Sequence, residues 1–368
     1  GPDGALYVVD MYRAVIEHPY WMPDELRKRP DLLHGRDRGR IYRIVPQEFR
    51  RPQQRPLSQL SSAELVDFLG DPNVWLRETA ARLLLDRNDA ALGPQLIRLA
   101  HTGSQRARIH AIWLLQGLGL LREESLIQLL ADQDPRIVEQ AIIAAESRIP
   151  KSKEIKTPIA ALATSPDARV RFHALLAATP LPTAPAFPAD QWELDAMLIA
   201  AGNRGGDALA IMLKDTPALT ANIREPQRFV AQLARLAAAS PDRTQQVTAI
   251  EALLPSAEFR LVGLAAVLAE ASRRGTTLSK LLSQLSESSR DQCELAIQHA
   301  RADAFNSNLP ESARCDAINL ISFMEGTGKQ LISHAVDDPS QAVRVTAIAA
   351  LAKQSDAEQW RELCSDFV

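Results

Sequence analysis

DPNVWLRETAARLL (residues 71–84) and DPSQAVRVTAIAAL (residues 338–351) are one phrase written twice, and its reading decides the fold. Each begins with Asp-Pro and then carries an apolar residue, Arg, two variable residues and Ala. The centre of the phrase recurs as Leu76-Arg77 with Ala80, Ala107-Arg108 with Ala111, Val170-Arg171 with Ala174, Ala313-Arg314 with Ala317, and Val343-Arg344 with Ala347. Weaker copies stand at Ile137-Val138 with Ala141, Gln227-Arg228 with Ala231, Phe259-Arg260 with Gly263, and Ser289-Arg290 with Cys293. Most copies follow one another at about 30 residues, a period that marks a solenoid of stacked helical units.

The chemistry of each copy fits a helix. Asp71-Pro72, Asp134-Pro135 and Asp338-Pro339 predict helix starts: the carboxylate caps an orphan N–H, and proline takes the first helical position, where its missing N–H costs nothing. Apolar residues follow at helical spacing, as in Val343, Ala347, Ala350 and Leu351, with Ala where neighbouring backbones must approach. Such a helix cannot bury its stripe alone, so each unit must stack on the next. The expectation is a mainly α fold.

Composition agrees and narrows the function classes. A chain of 368 residues exceeds one ordinary core, so it needs several units or an array that grows by addition. The 5% aromatic content favours helices packed through small side chains. Net charge is −3, which gives no electrostatic basis for wrapping nucleic acid. Residues 22–55 hold ten basic against five acidic side chains, which reads as a solvated loop surface. Cys293, Cys315 and Cys364 are odd in number and lack a CxxC pair, so they read as small core residues or free thiols rather than a zinc site or disulfide framework. His101, His110, His173, His299 and His334 are scattered without ligand spacing, and no metal site is expected. No apolar run reaches the roughly 18 residues that cross a bilayer.

The first 46 residues read differently. GALYVVD (4–10) and GRIYRIV (39–45) predict two β-strands. A lone pair of strands is marginal in water, so it needs more sheet or a packing partner. The intervening loop carries Tyr12, Arg13, Glu17 and His18, the one place where a base, a carboxylate and a cation crowd next to strands. These four are weak catalytic candidates. The preferred structural reading packs Tyr12, Tyr20 and Trp21 onto the strands and pairs Arg13 with Glu17. Asp10 reads as a turn residue, and GRDRGR (35–40) as turn chemistry rather than a phosphate cradle, because no Lys-Ser/Thr and no helix follow it. Trp75, Trp113, Trp192 and Trp360 read as packing between helices, with a recognition face as the other option.

Two resemblances follow from these residues. The quoted phrases resemble HEAT repeats over roughly 300 residues. That likeness implies helix caps at Asp71, Asp134 and Asp338, and polar ladders between neighbouring repeats from Arg77, Arg171 and Arg344. GPDGALYVVDMYRAVIEHPYW (1–21), followed by HGRDRGRIYRIVP (34–46), resembles the last part of the β-propeller in the membrane-bound dehydrogenases of Planctomycetes and Verrucomicrobia. Those propellers are related to glucose/sorbosone dehydrogenases. The likeness implies that the chain is the C-terminal part of a longer protein, in the periplasm or cell envelope. It also implies pyrroloquinoline quinone and a c-type haem as cofactors of that longer protein. This chain has no CxxCH, so the haem is not attached here, and no cofactor site is expected in it.

The domain reading is a propeller-blade remnant at 1–46, a linker at 47–60, HEAT-like repeats at 61–178, a Pro-rich hinge at 179–190 (TPLPTAPAFPAD) and further repeats at 191–368. The helical arm is expected to bind a protein partner and not nucleic acid. Membrane association would come only through other parts of the longer protein. Two other functions stay open. Residues 1–46 could line the substrate site of an active quinone-dependent sugar or polyol dehydrogenase, or the chain could be a HEAT-repeat adaptor without any enzyme role.

Overall fold

The computed structural model describes residues 1–50, 55–177, 190–223, 225–324 and 326–354. The expected hinge apart from Asp190, together with Trp360 and Cys364, lies outside the described residues. The chain divides into two compact units, Gly1–Ala144 and Ala145–Val368.

The first unit begins with β1 (Leu6–Asp10), α1 (Asp24–Arg27) and β2 (Arg40–Ile44), and continues with α2 (Ser62–Asp67), α3 (Val74–Arg87), α4 (Gly93–Thr102), α5 (Gln105–Gly117) and α6 (Glu123–Leu130). It closes on α7 (Pro135–Ala145). The second unit holds α8 (Lys153–Leu162), α9 (Ala168–Ala177), α10 (Gln191–Ala201), α11 (Gly205–Met212), α12 (Thr216–Asn222), α13 (Pro226–Ala239) and α14 (Thr244–Leu253). After them come α15 (Arg260–Arg273), α16 (Leu278–Leu282), α17 (Glu287–Phe305), α18 (Glu311–Ile321), α19 (Gly328–Asp337) and α20 (Gln341–Gln354). The fold is mainly α with a short β segment.

The repeated phrase has a physical basis. Each Asp-Pro or Ser-Pro turn leaves carbonyls without helical partners, and the Arg of the following helix reaches back to them. Arg77 Nη1 donates to Asp71 O at 2.6 Å and Pro72 O at 3.0 Å. Arg171 Nη1 donates to Ser165 O at 2.9 Å and Pro166 O at 3.0 Å. Arg344 Nη1 donates to Asp338 O at 2.6 Å and Pro339 O at 3.1 Å. These three arginines thus clamp their own turns, and of the ladders between repeats that the resemblance implied, the one at Arg171 is also present. Rungs between helices do occur at Arg108 with Asp132, Arg171 with Glu193, and Arg314 with Asp338. Three residues after the Arg position, Ala80, Ala111, Ala141, Ala174, Ala317 and Ala347 are all fully buried, because a larger side chain there would hold the next backbone away.

The caps differ from expectation in two of three places. Asp134 Oδ1 accepts Arg136 N at 2.9 Å directly ahead of α7, with Pro135 in the first turn. Asp71 and Asp338 instead sit earlier and brace the turn: Asp71 Oδ1 accepts Asn73 N at 2.7 Å, and Asp338 Oδ1 accepts Ser340 N at 2.9 Å. The caps are Asn73, whose Oδ1 accepts Trp75 N at 2.9 Å, and Ser340, whose Oγ accepts Val343 N at 3.3 Å. Asn and Ser are strong cap residues, and two residues after the Asp they win the position.

Within the second unit, helices pack in succession: α11 on α13 and α14, α13 on α15, α15 on α18, and α18 on α20. Gly205 and Gly206 bring α11 close. A Cβ at Gly205 would lie 2.5 Å from Leu233 O, and one at Gly206 would lie 2.2 Å from Gln245 O, so no side chain fits at either position. Cys293 is buried beside Ile250, Leu268 and Ile297, and burial first, with Glu294 adding, pushes its thiol up to about 11. It is a core residue.

Candidate functional site

β1 and β2 pair antiparallel with Leu6 opposite Ile44, Val8 opposite Tyr42 and Asp10 opposite Arg40. Strand alternation puts Leu6, Val8, Tyr42 and Ile44 on one face, and Tyr7, Val9, Ile41 and Arg43 on the other. All eight are exposed, with Val9 at 72% and Ile41 at 68%. The sheet has only these two strands among the described residues, so both outer edges carry unpaired backbone groups.

Two polar clusters hold the hairpin. Asp3 is buried; its Oδ2 accepts Arg43 Nε at 2.9 Å, Arg43 Nη2 at 2.7 Å and Tyr7 OH at 3.0 Å, and its Oδ1 accepts Ala5 N at 3.1 Å. Burial alone would raise the Asp3 carboxyl, but these bonds together, Arg43 foremost, bring it down to about 2. At the other end, Asp10 Oδ1 accepts Tyr12 N at 2.8 Å, the main cause of its lowered pKa, and Oδ2 accepts Arg40 Nε at 3.0 Å. The Arg40 guanidinium lies 4.1 Å from the Tyr12 ring centre and 5.3 Å from that of Tyr42, so it bridges two aromatic rings.

Tyr12 has φ 52°, in the left-handed region. Gly35, at φ 78°, packs so close that a Cβ would lie 1.9 Å from Tyr12 O. Ala14 N donates to His34 O at 3.2 Å, closing the neck of the loop.

The four candidate residues do not converge. Tyr12 belongs to the Asp10–Arg40 cluster. His18 Nδ1 accepts Tyr20 N at 3.2 Å, and Glu17 Oε1 accepts His18 N at 3.3 Å, both local turn contacts on an exposed surface. Arg13 and Glu17 form no ion pair with each other, and Arg13 Nε is buried without a partner. Tyr20 and Trp21 meet edge to face at 5.2 Å yet remain 73% and 74% exposed, so the expected packing of these rings onto the strands is absent. Asp10 acts as the turn residue expected, and Arg38 N donates to Gly35 O at 3.0 Å in the GRDRGR turn. Among the described residues, no group of three or more His, Cys, Asp or Glu is placed to hold a metal.

In the helical region Trp113 Nε1 donates to Gln140 Oε1 at 2.8 Å, joining α5 to α7. Trp75 is partly exposed, and Trp192 stands almost free on α10, against the packing expectation. The clusters missed at the sequence level are Asp3–Arg43–Tyr7 and Asp10–Arg40–Tyr42. For the second, the opposite charges of Asp10 and Arg40 at paired strand positions were the available signal; Asp3 lies ahead of β1, and Tyr7 is the residue opposite Arg43. No described helix is long and apolar enough to cross a membrane.

Residues 1–48 match a family described as a domain of unknown function, DUF7133. This segment spans both strands and the loop between them. No curated protein matches the chain.

Proposed function

We propose that the helical region is a HEAT-type interaction arm, and that residues 1–46 are the closing part of a β-propeller belonging to a larger, envelope-located oxidoreductase of the sugar-dehydrogenase kind. The observation that carries this reading is the hairpin: apolar on both faces, open on both edges, and too small to be stable by itself. A propeller blade, covered on both faces and continued along its edge, is the setting such a hairpin fits. The arm supports the reading through its recurrent Arg-to-turn clamp and buried Ala, features of units that stack by addition. His18, Arg13 and Glu17 do not converge, which favours an interaction role for this chain over a catalytic one.

In the longer protein, pyrroloquinoline quinone would accept the substrate's electrons at the propeller, and a c-type haem would pass them on. The test is to purify the longer polypeptide, add the quinone and a dye acceptor, and measure sugar-dependent dye reduction. Turnover that survives His18→Ala and Arg13→Ala is the expected result. Loss of turnover with either variant would instead make residues 1–46 part of the substrate site, and no turnover with any sugar or polyol would remove the dehydrogenase assignment.

A further inference from the structure

Away from the hairpin, the second unit buries a cluster of charge. Arg314 of α18, His334 of α19 and Asp338 at the α19–α20 turn are each more than nine-tenths buried. Arg314 Nη2 donates to Asp338 Oδ2, and its Nε donates to Ala304 O at 3.4 Å. His334 Nδ1 lies 3.5 Å from that same Asp338 oxygen. The imidazole is stacked against Phe305 of α17, with ring centres 3.9 Å apart and an angle of 32°. Its other nitrogen, Nε2, is buried with no hydrogen-bond partner. Asp338 meanwhile braces the turn into α20 through Ser340 N and accepts Arg344 Nη1 on its carbonyl. One carboxylate therefore ties α18, α19 and the start of α20 together.

We propose that this cluster is a pH-operated latch, in which protonation of His334 releases the α19–α20 hairpin from α17 and α18. An imidazolium must donate from both nitrogens, and Nε2 meets no acceptor. A buried charge matched on one side only is costly. The groups facing the imidazole leave little relief. Asp338 attracts the added charge but is already shared with Arg314, which repels it, and α17 offers the uncharged Phe305. Arg344 of α20 is turned back onto the carbonyls of Asp338 and Pro339.

Burial first, and Arg314 after it, hold the His334 pKa below its ordinary value against the pull of Asp338. A folded pKa below the unfolded one means stability is complete above about pH 6.5 and falls as pH drops through that value towards the folded pKa. Asp316 on α18 works in the opposite sense. Burial raises its carboxyl to about 6, so the stability it contributes is present at low pH and is lost as pH rises through 6.

The test is amide hydrogen exchange on the whole chain at about pH 7.5 and about pH 5, corrected for intrinsic exchange. Amides of α19 and α20 should lose about ten-fold in protection at the lower pH, while those of α13 and α15 hold theirs. His334→Gln, and independently His334→Phe, should abolish the loss, and Asp316→Asn should leave it in place. Unchanged protection in the wild type, or the same loss in a folded His334 variant, would overturn the latch. If neither variant folds, the wild type alone decides, because an equal loss in α13, α15, α19 and α20 would mean global acid destabilisation instead.

Discussion

Arg171 shows at the residue scale how one side chain serves two structural needs. It satisfies the Ser165 and Pro166 carbonyls of its own turn and also meets Glu193, which is buried on α10, through Nε at 2.8 Å and Nη2 at 2.7 Å. Removing it takes the guanidinium away from a buried carboxylate and frees two turn carbonyls, so Arg171→Ala should destabilise the protein by about 2 kcal/mol in urea unfolding, and Glu193→Gln by clearly less. The clamping Arg positions were legible in the sequence because each acts on a turn five or six residues away, and the Ala positions because most copies repeat the same small buried residue. The cap positions were only partly so. The same Asp-Pro text enters α7 directly at Asp134, but precedes a better cap, Asn73 or Ser340, in the two other phrases. The pairs Asp3–Arg43 and Asp10–Arg40 span 40 and 30 residues, and only the strand register brings them together.

At the element scale, the stretch between the copies at Arg171 and Arg228 contains a helix contact made backbone to backbone. α11 is short and opens with Gly205 and Gly206, which lie against the backbones of α13 and α14. Gly206→Ala would force a methyl to 2.2 Å from Gln245 O, a backbone atom that cannot swing aside. The expected cost is about 2 kcal/mol or more, visible as a lowered urea midpoint with an unchanged slope. Gly119, at φ 70° with open space where a Cβ would stand, gives the comparison in which only backbone strain is added. The repeated phrase has no copy between Arg171 and Arg228, and the sequence did not name the reason, because two glycines look like a turn until their neighbours are known. The strands were readable from β-branched and aromatic residues, and both fall inside the predicted runs. The loop was not readable in the same way. Its aromatic residues suggested inward packing, but Tyr20 and Trp21 face outwards.

At the scale of the whole molecule, the two units contain helices that bury their own apolar stripes, and a hairpin that does not. That contrast underlies the proposal that residues 1–46 belong to a larger β domain. Asp3, Arg43 and Tyr7 give the hairpin a polar anchor, and Asn73 Nδ2 donates to Gly1 O at 3.0 Å, but neither covers Leu6, Val9, Ile41 or Ile44. Trypsin is a direct probe, since Arg40 and Arg43 lie within β2 and cleavage after them requires the strand to open. The decisive measurement is the rate of cleavage after Arg43 in residues 1–368 alone and in the longer polypeptide. Cleavage of the chain alone well before any site in α5 or α15, with protection of at least about ten-fold in the longer polypeptide, is the predicted result. Equal resistance of β2 and the helices in the chain alone would contradict the proposal and make the hairpin a finished element of this protein.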